Sequence, residues 1–149
     1  MLDTIKKIEA ITNHIDKVRN NCLIMGKALI NKTDPMGVKL IELGYCHDNS
    51  KFSGIEFEYL WNGSPKFLEA LSTHQLGNKH HPEYWGGVNL MSDLYLAEMV
   101  CDCWARAQEF GTDIRNWFEN EGRERYGMND EIMEKIRYYL DLVLVPKFK

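Results

Sequence analysis

A chain of 149 residues, 44% hydrophobic and 27% charged, is long enough for one helical domain with its own core and too apolar to stay disordered. Its net charge of −4 provides no basic field to draw in a phosphate backbone, which argues against duplex nucleic acid as a partner. Cys22, Cys46, Cys101 and Cys103 form no CxxC pair, no apolar leader opens the chain, and the longest apolar stretch, Leu140 to Val145, is interrupted by Asp141 and too short for a bilayer. The expectation is a cytoplasmic protein with reduced thiols and no membrane partner.

Apolar residues recur at Leu2, Ile5, Ile8, Ile11, Ile15, Val18, Cys22, Met25 and Leu29, a three-and-four spacing that predicts a first long helix with one apolar face. Asp34 then reads as an N-cap with Pro35 at the first helical position, opening a second helix through Val38, Leu40, Ile41 and Leu43 that runs into Tyr45-Cys46-His47-Asp48. Gly54 to Leu60 is aromatic and acidic, Asn62-Gly63-Ser64-Pro65 is a turn cluster, and Lys66 to Leu76 is a short helical run. Gly77 to Gly87 reads as a loop. Ser92 and Asp93 suit the start of the next helix, with Tyr95, Leu96, Met99, Cys103, Ala107 and Phe110 facing inward. The polar interval from Gly111 to Gly127 carries a short helix around Ile114 to Glu121. Asn129 caps a final helix with Ile132, Met133, Ile136, Leu140 and Val143 on one side, and Pro146 stops it. No run alternates as a strand would. The expected fold is all-α, a single-domain bundle of five or six helices with the histidine-rich loop held between them.

All five histidines, His14, His47, His74, His80 and His81, fall within the first 81 residues. Imidazoles together with carboxylates suit borderline divalent metals such as Mn, Fe, Zn, Ni or Co better than Ca or Mg. His14 flanks the buried stripe of the first helix, His47 and Asp48 end the second, and Asp102 lies three residues after Met99 on an otherwise apolar helix, so three helices can each deliver a ligand to one point. Blander readings stand beside each. His47 and Asp48 could be a helix-end histidine and a cap, and His14 a core histidine bonded to a carbonyl. Asp102 could pair with Arg106, while Asp93 competes as the distal carboxylate although capping explains it. Glu83 reads equally as a proton-transfer group and as a solvated loop carboxylate. Lys51 stands beside the His-Asp pair where it could meet a phosphate oxygen, with Lys79 and Arg106 as further candidates. Tyr84 and Trp85 read as packing, and a zinc site of Cys101 and Cys103 with His80 and His81 is disfavoured because C-x-C on a helix points its thiols apart.

The order His14, then His47-Asp48, then Asp102 resembles the H…HD…D pattern of the HD-domain superfamily. "HIDKVRNNCLIMGKALI" looks like its first-histidine helix and "GVKLIELGYCHDNSKF" like the helix carrying the paired His-Asp, with Lys51 in the place of the lysine of HDxGK. "NKHHPEYWGG" is similar to the HHE-containing segment of the HD-type cyclic-dinucleotide phosphodiesterases, in which extra histidines recruit a second metal. Short bacterial and phage proteins with HD…SKF and HHPE-W motifs also look alike. The likeness spans roughly residues 11 to 108; Ser50 replaces the usual glycine, and His74 lies only six residues before His80. The resemblance implies a helical metal-dependent phosphohydrolase. Its first ion would be held by His14, His47, Asp48 and Asp102, and a second by His74, His80 and His81. Lys51, Glu83 and Asp48 would serve catalysis, and Lys51, Lys79 and Arg106 would bind a nucleotide or other small phosphate ester. Two alternatives share the motif: a two-iron oxygenase resembling inositol oxygenase, and a non-catalytic, metal-stabilised protein that binds a nucleotide or a partner. Homo-oligomerisation is left open.

Overall fold

The computed structural model describes residues 2–144, and among these every regular element is helical. The long helices are α1 (Leu2–Asn31), α2 (Met36–Cys46), α4 (Phe67–Gly77), α6 (Asp93–Phe110) and α9 (Asp130–Val143), with shorter α3 (Gly54–Tyr59), α5 (Pro82–Trp85), α7 (Ile114–Trp117) and α8 (Arg123–Tyr126) between them. The fold is thus the all-α bundle expected. The stop assigned to Pro146 lies outside the described residues.

One core joins α1, α2, α6 and α9. Val18, Cys22, Met25 and Leu29 from α1 meet Leu40 from α2, Leu96 and Val100 from α6, and Ile132, Met133, Ile136 and Leu140 from α9. Burial of this apolar surface is the main stabilising term, on the order of 25 cal/mol per Å2 removed from water. The helix starts follow their sequence signals. Asp34 Oδ1 accepts from the Met36 amide at 2.9 Å, and Asn129 Oδ1 accepts from that of Ile132 at 2.9 Å, each satisfying a donor that a helix start leaves open.

The pairing of α1 with α2 depends on glycines. A Cβ on Gly26 would lie 2.7 Å from the Gly37 carbonyl oxygen, and one on Gly44 would lie 2.7 Å from Cys22 Cβ. Backbone therefore touches backbone along an antiparallel crossing, and the last turn of α2 is pressed against the middle of α1. This contact carries His47 to within 6.0 Å of His14, ring centre to ring centre.

Three expectations change, and one segment left without an assigned element is helical. Gly77 to Gly87 is not all loop, because Pro82 presets the first position of a helical turn that ends at Gly86 with φ +80°. Gly54 to Tyr59 is helical too. The helix expected at Ile114 to Glu121 runs on to Tyr126 through a π-helical turn at Phe118–Gly122. Finally, the apolar stripes outrun the core: Ile5 and Ile8 are 47% and 42% exposed and Phe110 is 74% exposed. They stand on the first turns of α1 and the last turn of α6, beyond the helices that cover the rest of each stripe.

Candidate metal centre

Adjacent side chains on an α-helix diverge by about 100°, so His47 and Asp48 can serve one point only if the helix stops between them. It does. His47 leaves α2 with ψ 129° and Asp48 adopts the left-handed conformation, φ 54° and ψ 22°. Aspartate tolerates that region better than most residues. The chain then turns through Asn49–Phe52, and Lys51 Nζ reaches back to Asp48 Oδ2 at 2.9 Å.

From α6, Glu98, Asp102 and Glu109 stand four and seven residues apart, a single stripe of carboxylates beside the apolar face that enters the core. Asp102 Oδ1 is 2.7 Å from His14 Nε2, and Glu109 Oε2 is 2.7 Å from His14 Nδ1. Glu98 Oε2 accepts from His47 Nδ1 at 2.9 Å and lies 3.2 Å from His80 Nδ1. On the far side, the Glu56 carboxylate of α3 accepts from His74 Nδ1 of α4 and from the Ser50 hydroxyl. His80 and His81 come from the link between α4 and α5.

With its Nδ1 proton given to Glu98 or Glu56, an imidazole presents its Nε2 lone pair inward. The Nε2 atoms of His47, His80 and His81 and the Oδ1 atom of Asp48 are buried and have no hydrogen-bond partner. His80 Nε2 and Asp48 Oδ1 are 3.1 Å apart, yet without the angle a hydrogen bond requires. Ligand atoms of His14, His47 and Asp48 lie within 4.8 Å of one another, as do those of Asp48, His74, His80 and His81 and those of His47, His80 and Asp102. Asp48 belongs to the first two sets. Five imidazoles and two carboxylates in adjoining groups could hold one or two divalent ions, and this donor set fits a borderline transition metal. No cysteine joins these groups among the described residues.

The electrostatics follow from burial against charge. Burial opposes ionisation of His47, but Asp48 and Asp102 outweigh it and raise its pKa well above the usual value. His80, likewise buried, is held at about 9 by the Asp48 and Glu98 carboxylates. His81 is pushed down to about 3 by burial and by the charge of His80, and His74 is lowered mainly by burial. Burial also works against the charges of Asp48, Asp102 and Glu98, yet the imidazoles beside them keep all three below the ordinary carboxylate range.

All seven residues named from the sequence as ligands therefore meet. Asp93 does not: it starts α6 and pairs with Lys135 at 2.9 Å, leaving Asp102 as the distal carboxylate. Lys51 and Arg106 line a cavity of about 1250 Å3 that opens onto the histidines, whereas Lys79 and Glu83 are not among its lining residues. Lys79 lies over the Tyr84 and Tyr95 rings instead, 5.8 and 5.5 Å from their centres. Arg106 is tied to Glu109 at 3.0 Å. Sequence reasoning missed Glu56, Glu98 and Glu109. For the last two, a signal was present in their helical spacing from Asp102.

No curated protein and no solved structure matches the chain. A family model matches residues 3–142, nearly the whole of the described chain. With that coverage, the chain belongs to DUF5662, a family of unknown function.

Proposed function

We propose that the chain is a metal-dependent phosphohydrolase of the HD type, acting on a phosphate ester. One observation carries this reading: the Nε2 atoms of His47, His80 and His81 and Asp48 Oδ1 are buried without a hydrogen-bond partner, and these four residues belong to adjoining groups of ligand atoms, while the opposite nitrogens of His47 and His80 are backed by Glu98. Such carboxylate-backed imidazoles are what a metal ligand requires and what a core histidine does not. His14, His47, Asp48 and Asp102 would hold one ion, and Asp48, His74, His80 and His81 a second.

A divalent ion held there would supply water acidified to a nucleophile near neutral pH and would polarise a phosphoryl oxygen. The chain's own residues do the rest. Lys51, held beside Asp48, sets a positive charge at the cavity wall where phosphoryl oxygens gain negative charge, and Arg106 offers a second from α6. Hydrolysis forms a bond from water oxygen to phosphorus and breaks the ester P–O bond. The alcohol leaves with a proton and the phosphate as inorganic phosphate.

The test joins metal analysis of the purified protein to a panel of phosphate esters, with oxygen consumption followed in parallel. The expected result is one or two equivalents of Mn, Fe, Co, Ni or Zn with release of inorganic phosphate, both lost in folded His47→Ala and Asp48→Ala. Variants that keep full metal content and full hydrolysis would refute the assignment. Iron with oxygen uptake and no phosphate release would replace it by the two-iron oxygenase reading, which the same histidines support.

A further inference from the structure

The cavity that opens onto the metal centre has two unlike parts. Its floor is His14, Asp48, His74, His80, His81 and Asp102. Beyond them the wall is made chiefly of apolar side chains, with Leu60, Trp61, Phe67 and Leu71 contributed by the α3–α4 region and Phe110 and Trp117 by the end of α6 and by α7. Neutral hydrogen-bonding groups outside the floor are Asn62, Thr112, Tyr126 and the indoles of Trp61 and Trp117, and the carboxylates of Asp3, Glu56 and Glu121 and the amine of Lys6 line it as well. Several of the cations are already engaged: Lys7 donates to the Phe57 carbonyl at 2.9 Å and lies over the Phe57 ring, Lys51 pairs with Asp48, and Arg106 with Glu109.

The apolar wall is also set in place. A Cβ on Gly122 would come 2.7 Å from Trp117 Cζ3, so the indole rests directly on the π-helical turn at Phe118–Gly122. A π-turn is a local departure that recurs at functional sites. At the rim, Trp61 and Phe110 are left 43% and 74% exposed.

A nucleobase and sugar bring several donors and acceptors, and those laid along Leu60, Phe67, Leu71 and Phe110 would be left unpaired. An alkyl or aryl body gains by leaving water on the same wall. We propose that the cavity takes a phosphate monoester with a long apolar body: phosphate at the histidine floor, body along Leu71, Phe67 and Trp117, and its end under Trp61 and Phe110. This rests on the phosphohydrolase reading and deepens it. The cavity of about 1250 Å3 exceeds the ~300–1,000 Å3 usual for small-molecule sites, in keeping with an extended substrate.

The experiment has two arms. In the first, the Mn-loaded protein is assayed with n-alkyl phosphates from ethyl to decyl, below micelle-forming concentrations, beside AMP. In the second, the corresponding alkyl phosphonates, which cannot be hydrolysed, are titrated by tryptophan fluorescence. Both kcat/KM and phosphonate affinity should rise about two- to fourfold per added methylene, decyl phosphate should surpass AMP, and Phe110→Ser, at an exposed position that tolerates a polar residue, should flatten both slopes. Values independent of chain length, or AMP preferred over the decyl ester, would overturn the inference. If no ester is hydrolysed the phosphohydrolase reading falls alone where phosphonate binding still steepens with chain length, and both fall where it is flat.

Discussion

Glu98→Gln tests the candidate metal centre without touching a candidate ligand. Glu98 is 4% exposed, and one of its oxygens serves the Nδ1 atoms of both His47 and His80, at 2.9 and 3.2 Å. Glutamine keeps the shape and an acceptor oxygen but removes the charge, and charge-assisted hydrogen bonds are roughly twice as strong as neutral ones. Loss of such an orienting carboxylate typically weakens metal binding about 10- to 100-fold, or ~1.4–2.7 kcal/mol. Here two imidazoles lose their partner at once. Because they share one carboxylate their losses are coupled rather than additive, so the expected effect lies at the upper end, close to 100-fold. Competition with a chromophoric chelator for Zn reads the affinity, and circular dichroism checks that the variant is folded. A folded variant whose affinity stays within threefold of the parent would show that Glu98 does not position these rings, and the inward-pointing Nε2 atoms would lose their explanation.

Gly44→Ala should lower stability by about 1–3 kcal/mol, the usual cost of overpacking, because the added methyl would sit 2.7 Å from Cys22 Cβ. For a chain of this length that is a fall in Tm of roughly 2–4 °C per kcal/mol, and metal affinity should fall with it, since the same crossing seats His47; an unchanged Tm would refute the close-contact account. A pH series should separate the metal-free and metal-loaded proteins. In the metal-free protein the raised pKa values of His47 and His80 give stability that is complete below about 6.5 and lost as pH climbs toward about 9. Metal must displace those protons, so affinity should rise across the same interval. The two Tm curves should diverge with increasing pH, with calorimetry in buffers of different ionisation enthalpy reporting proton release on loading. Parallel curves with no proton release would contradict the assigned protonation.

What the sequence made legible was whatever repeats at helical spacing or stands beside a helix end. The core positions of α1 and α9, the caps at Asp34 and Asn129, and the ligand set at residues 14, 47, 48, 74, 80, 81 and 102 all belong to that class. Periodicity does not say where a helix outlives its neighbours, and so Ile5, Ile8 and Phe110 read as buried although each is left largely exposed, at 47%, 42% and 74%. Glu56 was hidden for another reason. Its pairing with His74 joins residues 18 positions apart on two helices, and no local pattern encodes that distance. The choice between Asp93 and Asp102 likewise depended on a tertiary fact, the reach of Lys135 from α9 to Asp93. The H…HD…D spacing located the candidate ligands, but not the carboxylates that face their rings.

Helix α6 shows why this cluster is unlike an ordinary buried polar patch. One side of it, through Leu96, Val100 and Ala105, enters the core, while its acidic stripe meets three histidines, His14, His47 and His80, from three other parts of the chain. Burying charged groups costs several kcal/mol per ion even when paired, and well-packed apolar residues of similar volume are often the more stable choice. Asp48 adds backbone strain by sitting in the left-handed region, though less than the ~1–2 kcal/mol of a typical L-residue there. Core stability alone gives no reason to keep both penalties, least of all at Asp48 Oδ1 and His80 Nε2, which lie 3.1 Å apart without a hydrogen bond to either. A cation between them would turn each penalty into binding energy. The αL residue lets His47 and Asp48 share one point, the glycine crossing brings that point to His14, and the carboxylate stripe of α6 orients the rings around it.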